Sequence, residues 1–311
     1  MEKKLNPAAS FFKTAKKHWI LLIMLVPALL YVIIFSYIPM TGVVLAFKDY
    51  QYNGGIYFSP WAGLDNFRFL MVSGKLGEVT RNTLLYNIAF LVLGVVFEMG
   101  SAILLNEIIS KKFRKVSQTL MFLPYFISWV VVGAVMYNIF NYERGVVNHV
   151  LNMFGTSSFD LYNSPGAWPP IIIFLKIWKS TGYGSVVYLA AITGLDQEMF
   201  EAATIDGANV WHKIRYITIP ALVPTMMILL LLGIGNIFRG DFGLFYQTVK
   251  SSALLQPVTD VIDTYVFRLL ITNSDVGVSA AAGLYQSVLC FFTITVCNRL
   301  VKKVQPDYAL Y

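Results

Sequence analysis

Six long apolar stretches alternate with polar segments along the chain. They run over about Trp19–Phe47, Thr83–Leu105, Thr119–Phe140, Trp168–Ile192, Pro220–Phe238 and Ala280–Leu300. Each can cross a hydrocarbon layer of roughly 30 Å, which takes about 20 helical residues. Because a chain in lipid must satisfy its backbone hydrogen bonds internally, these stretches are expected to be helices. The pattern therefore predicts an all-α integral membrane protein with six transmembrane helices. One further helix, amphipathic, is predicted in the polar segment at about Thr259–Ile271.

The composition agrees with a chain that is surrounded mostly by lipid or protein. Of its 311 residues, 57% are hydrophobic and 13% are charged, whereas a soluble domain carries roughly a quarter charged residues. The net charge of +7 does not indicate nucleic-acid binding, because no basic stripe interleaved with aromatic residues occurs. Cys290 and Cys297 lie seven positions apart on one helix face, so they cannot readily bridge each other. No metal-ligand cluster is predicted.

Lys and Arg are distributed unevenly between the two sides of the predicted membrane. Fourteen lie in the N-terminal tail, residues 107–118, residues 193–219 and the C-terminal end, against eight in the longer segments on the other side. Cytoplasmic segments collect positive residues, so both termini are expected in the cytoplasm. The first apolar run is too long for a signal-peptide core of about 7–15 residues. The predicted organisation is a cytoplasmic tail at 1–18, a first transmembrane helix at 19–47, an extracytoplasmic segment at 48–82, a core of five transmembrane helices at 83–300 and a cytoplasmic tail at 301–311.

The segment 194–220, between the fourth and fifth predicted helices, has a local pattern of its own. Asp196 is a suitable N-cap for a short helix that ends near Ile205. Gly207 allows the chain to reverse, and a second short helix is expected from about Ala208 to just before Pro220. The fifth transmembrane helix then opens at Pro220, where a missing N–H group costs nothing. The 194–220 loop is therefore predicted to be a compact helix–turn–helix on the cytoplasmic face.

The same loop carries a pattern that resembles a known family. Its spacing is E-A-A-x3-G-x9-I-x-L-P, here Glu201, Ala202, Ala203, Gly207, Ile217 and Pro220, with Ile219 in place of the usual leucine. This spacing resembles the permease subunits of binding-protein-dependent ABC importers, and implies a type I ABC importer permease fold. Other segments resemble the carbohydrate branch of that family, which includes maltose-type permeases and relatives for oligosaccharides or polysaccharide fragments: residues 60–67, 82–84, 102–107, 206–208, 38–40 and 46–50.

The resemblance implies how such a chain would work. In the family, the loop docks in a groove of a cytoplasmic ATPase, with Glu201 as the anchor, Gly207 as the turn and Asp206 beside it. The implied partners are a second homologous permease chain, two ATPase subunits, an extracytoplasmic solute-binding protein and membrane lipid. This chain has no G-x-x-x-x-G-K-[ST] phosphate-binding loop. ATP and Mg²⁺ would therefore act on the partner ATPase, and no cofactor is expected in this chain.

Ionisable groups inside spanning segments are functional candidates, because burying them in lipid is costly. Glu98 lies in the second predicted helix, and Lys176 and Lys179 lie in the fourth. Glu98 could pair with one of the lysines, or Lys179 could face the pore and meet the solute. Saccharides are commonly held by aromatic faces and planar polar side chains. The candidate pathway residues are Lys179, Arg239 and Tyr137 and, as the resemblance to maltose-type permeases implies, Ser180, Tyr183 and Asn236.

Three other classes of protein were weighed against an importer subunit. A secondary transporter or channel driven by an ion gradient would favour paired carboxylates and inverted repeats, and neither is visible in the sequence. A membrane enzyme would need a catalytic constellation, and no Ser/His/Asp or Cys/His set stands out. A scaffold subunit would have no need of the 194–220 loop. A transport subunit that is not itself an enzyme is therefore expected.

Overall fold

The computed structural model describes residues 17–250, 252–304 and 306, which fold almost entirely into helices. The main helices are α1 (Trp19–Phe47), α2 (Asp65–Val72), α3 (Lys75–Glu107), α4 (Lys111–Phe126), α5 (Trp129–Phe140), α6 (Val146–Met153), α7 (Trp168–Thr193), α8 (Gln197–Ile205), α9 (Val210–Gly235), α10 (Phe242–Val249), α11 (Ile262–Ile271) and α12 (Val276–Val304). Within the described residues, the only extended pairing is one antiparallel bridge between Lys48 and Trp61. The all-α prediction is confirmed, and α11 matches the predicted amphipathic helix. Most of the predicted tails at 1–18 and 301–311 lie outside the described residues.

Four helices are long and apolar enough to cross a membrane: α1, α3, α9 and α12. The bent pair α4 and α5 makes a fifth if it forms one span. α7 has 26 residues, but Lys176 and Lys179 interrupt its apolar sequence. The prediction of a multi-pass membrane protein is thus confirmed at the level of four or five candidate spans.

The expected break before Pro220 is wrong, because α9 runs without interruption through that residue. Its first part is α-helical over Val210–Lys213, widens to a π-helix over Ile214–Thr218 and returns to α-helix from Ile219. A proline ring clashes with the carbonyl four residues earlier in a regular α-helix. The wider π turn gives that carbonyl more room and lets the helix continue. The same arrangement occurs in α1, where the π-helix Ile33–Tyr37 ends two residues before Pro39.

The prediction of one continuous helix over Thr119–Phe140 is also wrong. α4 and α5 meet at 92° after a break of two residues. Pro124 lies in the last turn of α4, and the Ser128 side chain caps α5 by accepting the Val131 backbone N–H, 3.4 Å away. Because one helix is closed and the next is capped within a few residues, the chain turns sharply here.

α7 is the central helix and packs along α3 and α4. One apolar cluster joins α3, α5, α7 and α10 around the fully buried Trp168 and Ile172. Another joins α3, α7 and α9 around Tyr188 and Leu222. A third joins the end of α1 to α2, α11 and α12 around Ile262. These clusters fix the relative positions of α3, α7 and α9, which line the cavity described below.

α1 stands largely apart from the rest of the chain. Every residue from Trp19 to Met40 is exposed, and only the last two turns pack, mainly against α12 and α2. An apolar helix of this length does not remain uncovered in water. Its surface must therefore be covered by lipid or by another protein.

Candidate functional site

The 194–220 loop is a helix–turn–helix whose turns are set by local hydrogen bonds. Asp196 caps α8 by accepting a backbone N–H two residues later, at 3.0 Å. Gly207 has φ +81°, a left-handed conformation in which glycine carries no steric penalty. The Ala208 N–H donates to the Ala203 carbonyl at 2.9 Å, which closes the C-terminus of α8 in a Schellman-type turn. Asn209 then caps α9. The predicted cap and chain reversal are confirmed.

The two helices of the loop enclose an open cleft of about 470 Å³. It is lined by Ala203, Asp206, Gly207, Ala208, His212, Lys213, Tyr216 and Ile217. Four of the predicted loop residues, Ala203, Asp206, Gly207 and Ile217, are thus brought together. The other three, Glu201, Ala202 and Pro220, are exposed and lie outside this lining.

Large apolar side chains project from the same loop and were not among the predicted site residues. The exposed fractions are 86% for Ile205, 77% for Trp211 and 67% for Tyr216. Exposed apolar surface beside polar residues is typical of a protein-interaction site. These large apolar residues could have been recognised in the sequence, because the rest of the 194–220 loop is rich in small and charged residues.

Another cavity, of about 420 Å³, lies among α3, α7 and the end of α9. It is lined by Asn87, Phe90, Leu91, Glu98, Lys176, Ser180, Gly233, Asn236, Arg239, Gly240 and Asp241. Three predicted pathway residues, Ser180, Asn236 and Arg239, line it. The amides, hydroxyl and charged groups supply the donors and acceptors that a hydroxylated solute needs. Asn87 was not among the predicted pathway residues, although an amide inside an otherwise apolar helix is a recognisable signal in the sequence.

The charged groups of this cavity are paired differently from the expectation. Lys176 Nζ lies 2.8 Å from Asp241 Oδ2, and the two side chains are 31% and 24% exposed. Within the described residues, no close ion pair joins Glu98 to Lys176 or Lys179, although Lys176 is near enough to attract the Glu98 carboxylate. Asp241 also caps α10 by accepting the Leu244 N–H at 3.2 Å. The Lys176–Asp241 pair therefore ties α7 to the start of α10.

Lys179 does not line the cavity but closes the end of α4. Its ammonium donates to the backbone carbonyls of Pro124 at 3.0 Å, of Tyr125 at 2.8 Å and of Ile127. It also lies 5.3 Å from the ring centroid of Trp129. The last carbonyls of a helix have no partner inside the helix, and a cation there also interacts favourably with the helix dipole. Lys179 thus stabilises the bend between α4 and α5.

Tyr183 and Tyr137, the remaining predicted pathway residues, are both held by other aromatic side chains. The Tyr183 ring stacks on Tyr125 with the centroids 4.6 Å apart. Tyr137 meets Tyr162 edge to face at 5.6 Å, and the Lys250 ammonium lies 3.4 Å from the Tyr137 centroid. Burial, and to a lesser extent Tyr137, raises the pKa of Tyr162 to about 12. Neither Tyr183 nor Tyr137 lines the 420 Å³ cavity.

The chain leaves α9 through a turn that is held from two further helices. The Asn87 side chain donates to the Arg239 carbonyl at 3.0 Å. Asp263 of α11 accepts the Gly240 N–H at 2.5 Å and the Gln286 side-chain amide at 2.8 Å. Burial raises the pKa of the Asp263 carboxyl, and these two hydrogen bonds oppose part of the rise. The position of Arg239 on the cavity wall is therefore well defined.

The chain is similar to known transport proteins over nearly its whole length. Residues 91–306 match the model of the family described as binding-protein-dependent transport system inner membrane component. Protein LplB of Bacillus subtilis (strain 168) is 33% identical over 298 residues, which cover 96% of this chain and 93% of that protein. The polygalacturonan/rhamnogalacturonan transport system permease protein YteP of the same organism is 32% identical over 283 residues, which cover 91% and 88%.

The fold is similar to that of a solved transporter. A chain in the crystal structure of a bacterial ABC transporter involved in the import of the acidic polysaccharide alginate superposes with a TM-score of 0.86. It is 32% identical, and the match covers 95% of this chain and 99% of that one. A structure of bacterial alginate ABC transporter in complex with alginate pentasaccharide-bound periplasmic protein gives 0.84 at 32% identity, covering 94% and 97%.

The family match includes the whole 194–220 loop and the 420 Å³ cavity, except for the two lining residues Asn87 and Phe90. The apolar spanning helices agree with an inner-membrane location. The chain belongs to the binding-protein-dependent transport system inner membrane component family, and is a permease subunit of an ABC importer rather than an enzyme.

Proposed function

We propose that this chain forms part of the pathway by which an ATP-driven importer moves an oligosaccharide or polysaccharide fragment. The observation that carries the proposal is the placement of two sites on one helix. The exposed 194–220 loop leads into α9, and the polar cavity lies at the other end of α9. Relatives whose names state a polysaccharide, polygalacturonan/rhamnogalacturonan and alginate, support a carbohydrate as the solute.

The proposed topology has six membrane crossings and both termini in the cytoplasm. α7 and the bent pair α4 and α5 are counted as crossings in addition to α1, α3, α9 and α12. Residues 48–82 would then lie outside the cell, and residues 83–300 would form the permease core. The excess of Lys and Arg on the side of the 194–220 loop supports this orientation.

The 194–220 loop is proposed to receive force from a cytoplasmic ATPase. Glu201 would pair with a basic residue of the ATPase, with Ala202 packed beside it. Ile205 and Trp211 would enter an apolar groove of that subunit. ATP and Mg²⁺ would bind to the ATPase alone. Closure of two ATPase subunits would then switch the cavity between inward- and outward-facing states as a rigid-body change.

The remaining proposed partners follow from other surfaces of the chain. A second, homologous permease chain together with membrane lipid would cover the exposed face of α1. An extracytoplasmic solute-binding protein would deliver the solute. The alginate transporter that is bound to a periplasmic protein supports this last partner.

The experiment is ATP-dependent uptake of a labelled oligosaccharide into proteoliposomes that contain the complete importer and its binding protein. Glu201→Arg and Gly207→Pro are expected to abolish uptake while membrane insertion stays intact. Glu198→Arg is the matched control. It makes the same change of charge at another exposed residue of α8, three positions earlier, that does not belong to the family pattern. Uptake by the Glu201→Arg variant at the wild-type rate would contradict the coupling role.

The same vesicles separate this function from an ion-gradient-driven transporter. Uptake is expected to require ATP on the side of the vesicle membrane that carries the ATPase subunits. A proton or sodium gradient is expected to have no effect on the rate of uptake. Uptake that is driven by a gradient without ATP would favour the alternative and refute the importer.

A further inference from the structure

Arg239 differs from the other basic residues near the cavity because no hydrogen bond or close ion pair holds its charged group, which the Asp263 carboxylate attracts only at longer range. Lys176 is paired with Asp241, and Lys179 is bound to backbone carbonyls. In the described part of the chain, no side chain forms an ion pair or hydrogen bond with the Arg239 guanidinium. The residue is exposed and lines the 420 Å³ cavity. Its guanidinium is thus available to a solute.

The backbone under Arg239 is fixed rather than free. Its N–H donates to the Asn236 carbonyl at 2.8 Å, and its carbonyl accepts from Asn87 at 3.0 Å. The next residue, Gly240, packs so closely that a Cβ there would lie 2.7 Å from Val261 Cγ2. A group that is held in place before binding loses less conformational freedom when the ligand arrives. These contacts favour a binding role over that of an incidental surface charge.

We infer that Arg239 makes the cavity selective for saccharides that carry a carboxylate, an inference that rests on the proposed carbohydrate function. A guanidinium matches a carboxylate with two parallel hydrogen bonds, a geometry that a neutral hydroxyl cannot reproduce. Asn236, on the same cavity wall, would serve the sugar hydroxyls together with Ser180, whose side chain also hydrogen-bonds Glu98. The cavity thereby combines one anion-binding group with several neutral polar groups.

The acidic Glu98 does not oppose this assignment. It lies 11 positions beyond Asn87 in α3, which corresponds to roughly 16 Å along the helix at about 1.5 Å per residue. Arg239 is at the level of Asn87, because their hydrogen bond joins them. The backbones that carry the Glu98 acid and the Arg239 cation are therefore well separated along the cavity.

The test compares two probes of the same size, trigalacturonate and its methyl ester, which carries no charge. Equilibrium binding is measured on the detergent-solubilised permease–ATPase complex, and uptake is measured in proteoliposomes with the binding protein. Arg239→Gln is expected to weaken trigalacturonate binding by about tenfold or more and to leave the methyl ester within about twofold. Arg239→Lys keeps the positive charge but cannot form two parallel hydrogen bonds with a carboxylate. Its affinity for trigalacturonate should lie between those of the wild type and Arg239→Gln.

Arg144→Gln is the matched control, because it removes the charge of another exposed arginine, one that lies outside the cavity lining. It should leave the selectivity between the two probes unchanged. ATPase activity of each variant complex shows that the subunits still assemble.

Each other outcome is decisive. Arg239 is not a carboxylate-binding residue if Arg239→Gln lowers the affinity for both probes equally, or if the wild type binds the ester more tightly. Either result leaves the proposed importer function standing. If the wild-type complex neither binds nor imports either saccharide, the carbohydrate function itself fails, and the inference falls with it.

Discussion

Replacing Lys179 with methionine would remove an ammonium group from the bend between α4 and α5 while keeping the length of the side chain. Three carbonyl oxygens, those of Pro124, Tyr125 and Ile127, would lose the ammonium as a donor, and of these the Pro124 carbonyl still accepts the Ile127 N–H. The methionine could still pack on Trp129 through its thioether. The change therefore isolates the electrostatic cap from the packing around it.

The expected loss follows from the three hydrogen bonds. Hydrogen bonds to a charged group contribute roughly 1.5–3 kcal/mol each, which gives about 5–9 kcal/mol if they were additive. Lys179 is half-buried, so its ammonium regains hydration in the unfolded state, and bonds that share one donor group are not additive. A net loss of about 2–4 kcal/mol is more realistic, equivalent to a drop in Tm of roughly 4–8 °C at about 2 °C per kcal/mol.

The assay is hydrogen exchange by mass spectrometry on the purified complex, combined with thermal unfolding in detergent. Lys179→Met should speed the exchange of amides in residues 124–131, and Lys179→Arg should leave it near the wild-type rate. Lys176→Met is the control, because it removes a lysine one turn earlier that contacts Asp241 instead. Equal exchange at 124–131 in the two methionine variants would refute the capping role.

Three further outcomes are expected from the turn after α9. Asp263→Asn should keep both accepted hydrogen bonds and match the wild-type Tm at acidic pH, where the carboxyl is protonated, whereas Asp263→Ala leaves two donors unsatisfied and should cost about 1–3 kcal/mol. A raised pKa of Asp263 in the folded state means that the free energy of unfolding falls as pH rises above the ordinary aspartate value of about 3.9. Asp263→Asn should remove this pH dependence from thermal unfolding. The same pH dependence in the variant and the wild type would contradict the raised pKa. For the half-buried Lys176–Asp241 pair, a double-mutant cycle with Lys176→Met and Asp241→Asn should give a coupling energy of about 1–2 kcal/mol. The asparagine can still cap α10, so purely additive losses would mean that the pair contributes nothing.

Much of the 194–220 loop was predictable because its structure is decided by neighbours in sequence. The cap at Asp196 and the left-handed turn at Gly207 involve groups only a few residues apart. Both features can be predicted without knowledge of tertiary contacts. The same holds for α11, which was predicted from its 3.6-residue hydrophobic period. The family pattern falls on the same residues, so the local and the family evidence agree.

The partners of the buried charges were not predictable in the same way. Lys176 meets a residue 65 positions away, and Lys179 meets carbonyls 52–55 positions away. A backbone carbonyl has no sequence signature, so a lysine in a spanning segment indicates only that some partner exists. The bend at residues 127–128 did leave signals, Pro124 and the cap-forming Ser128, but the apolar run across them concealed the break.

The continuity of α9 has a mechanical consequence. Its 26 residues form a rod of about 39 Å, at about 1.5 Å rise per residue. A tilt of about 10° at the loop end would displace the other end by roughly 7 Å, more than the length of one helical turn. Because Arg239 lies four residues beyond Gly235, a push on the 194–220 loop becomes a lateral displacement of the cavity wall. A joint at Pro220 would have absorbed that motion, and the π turn allows the proline to remain without one.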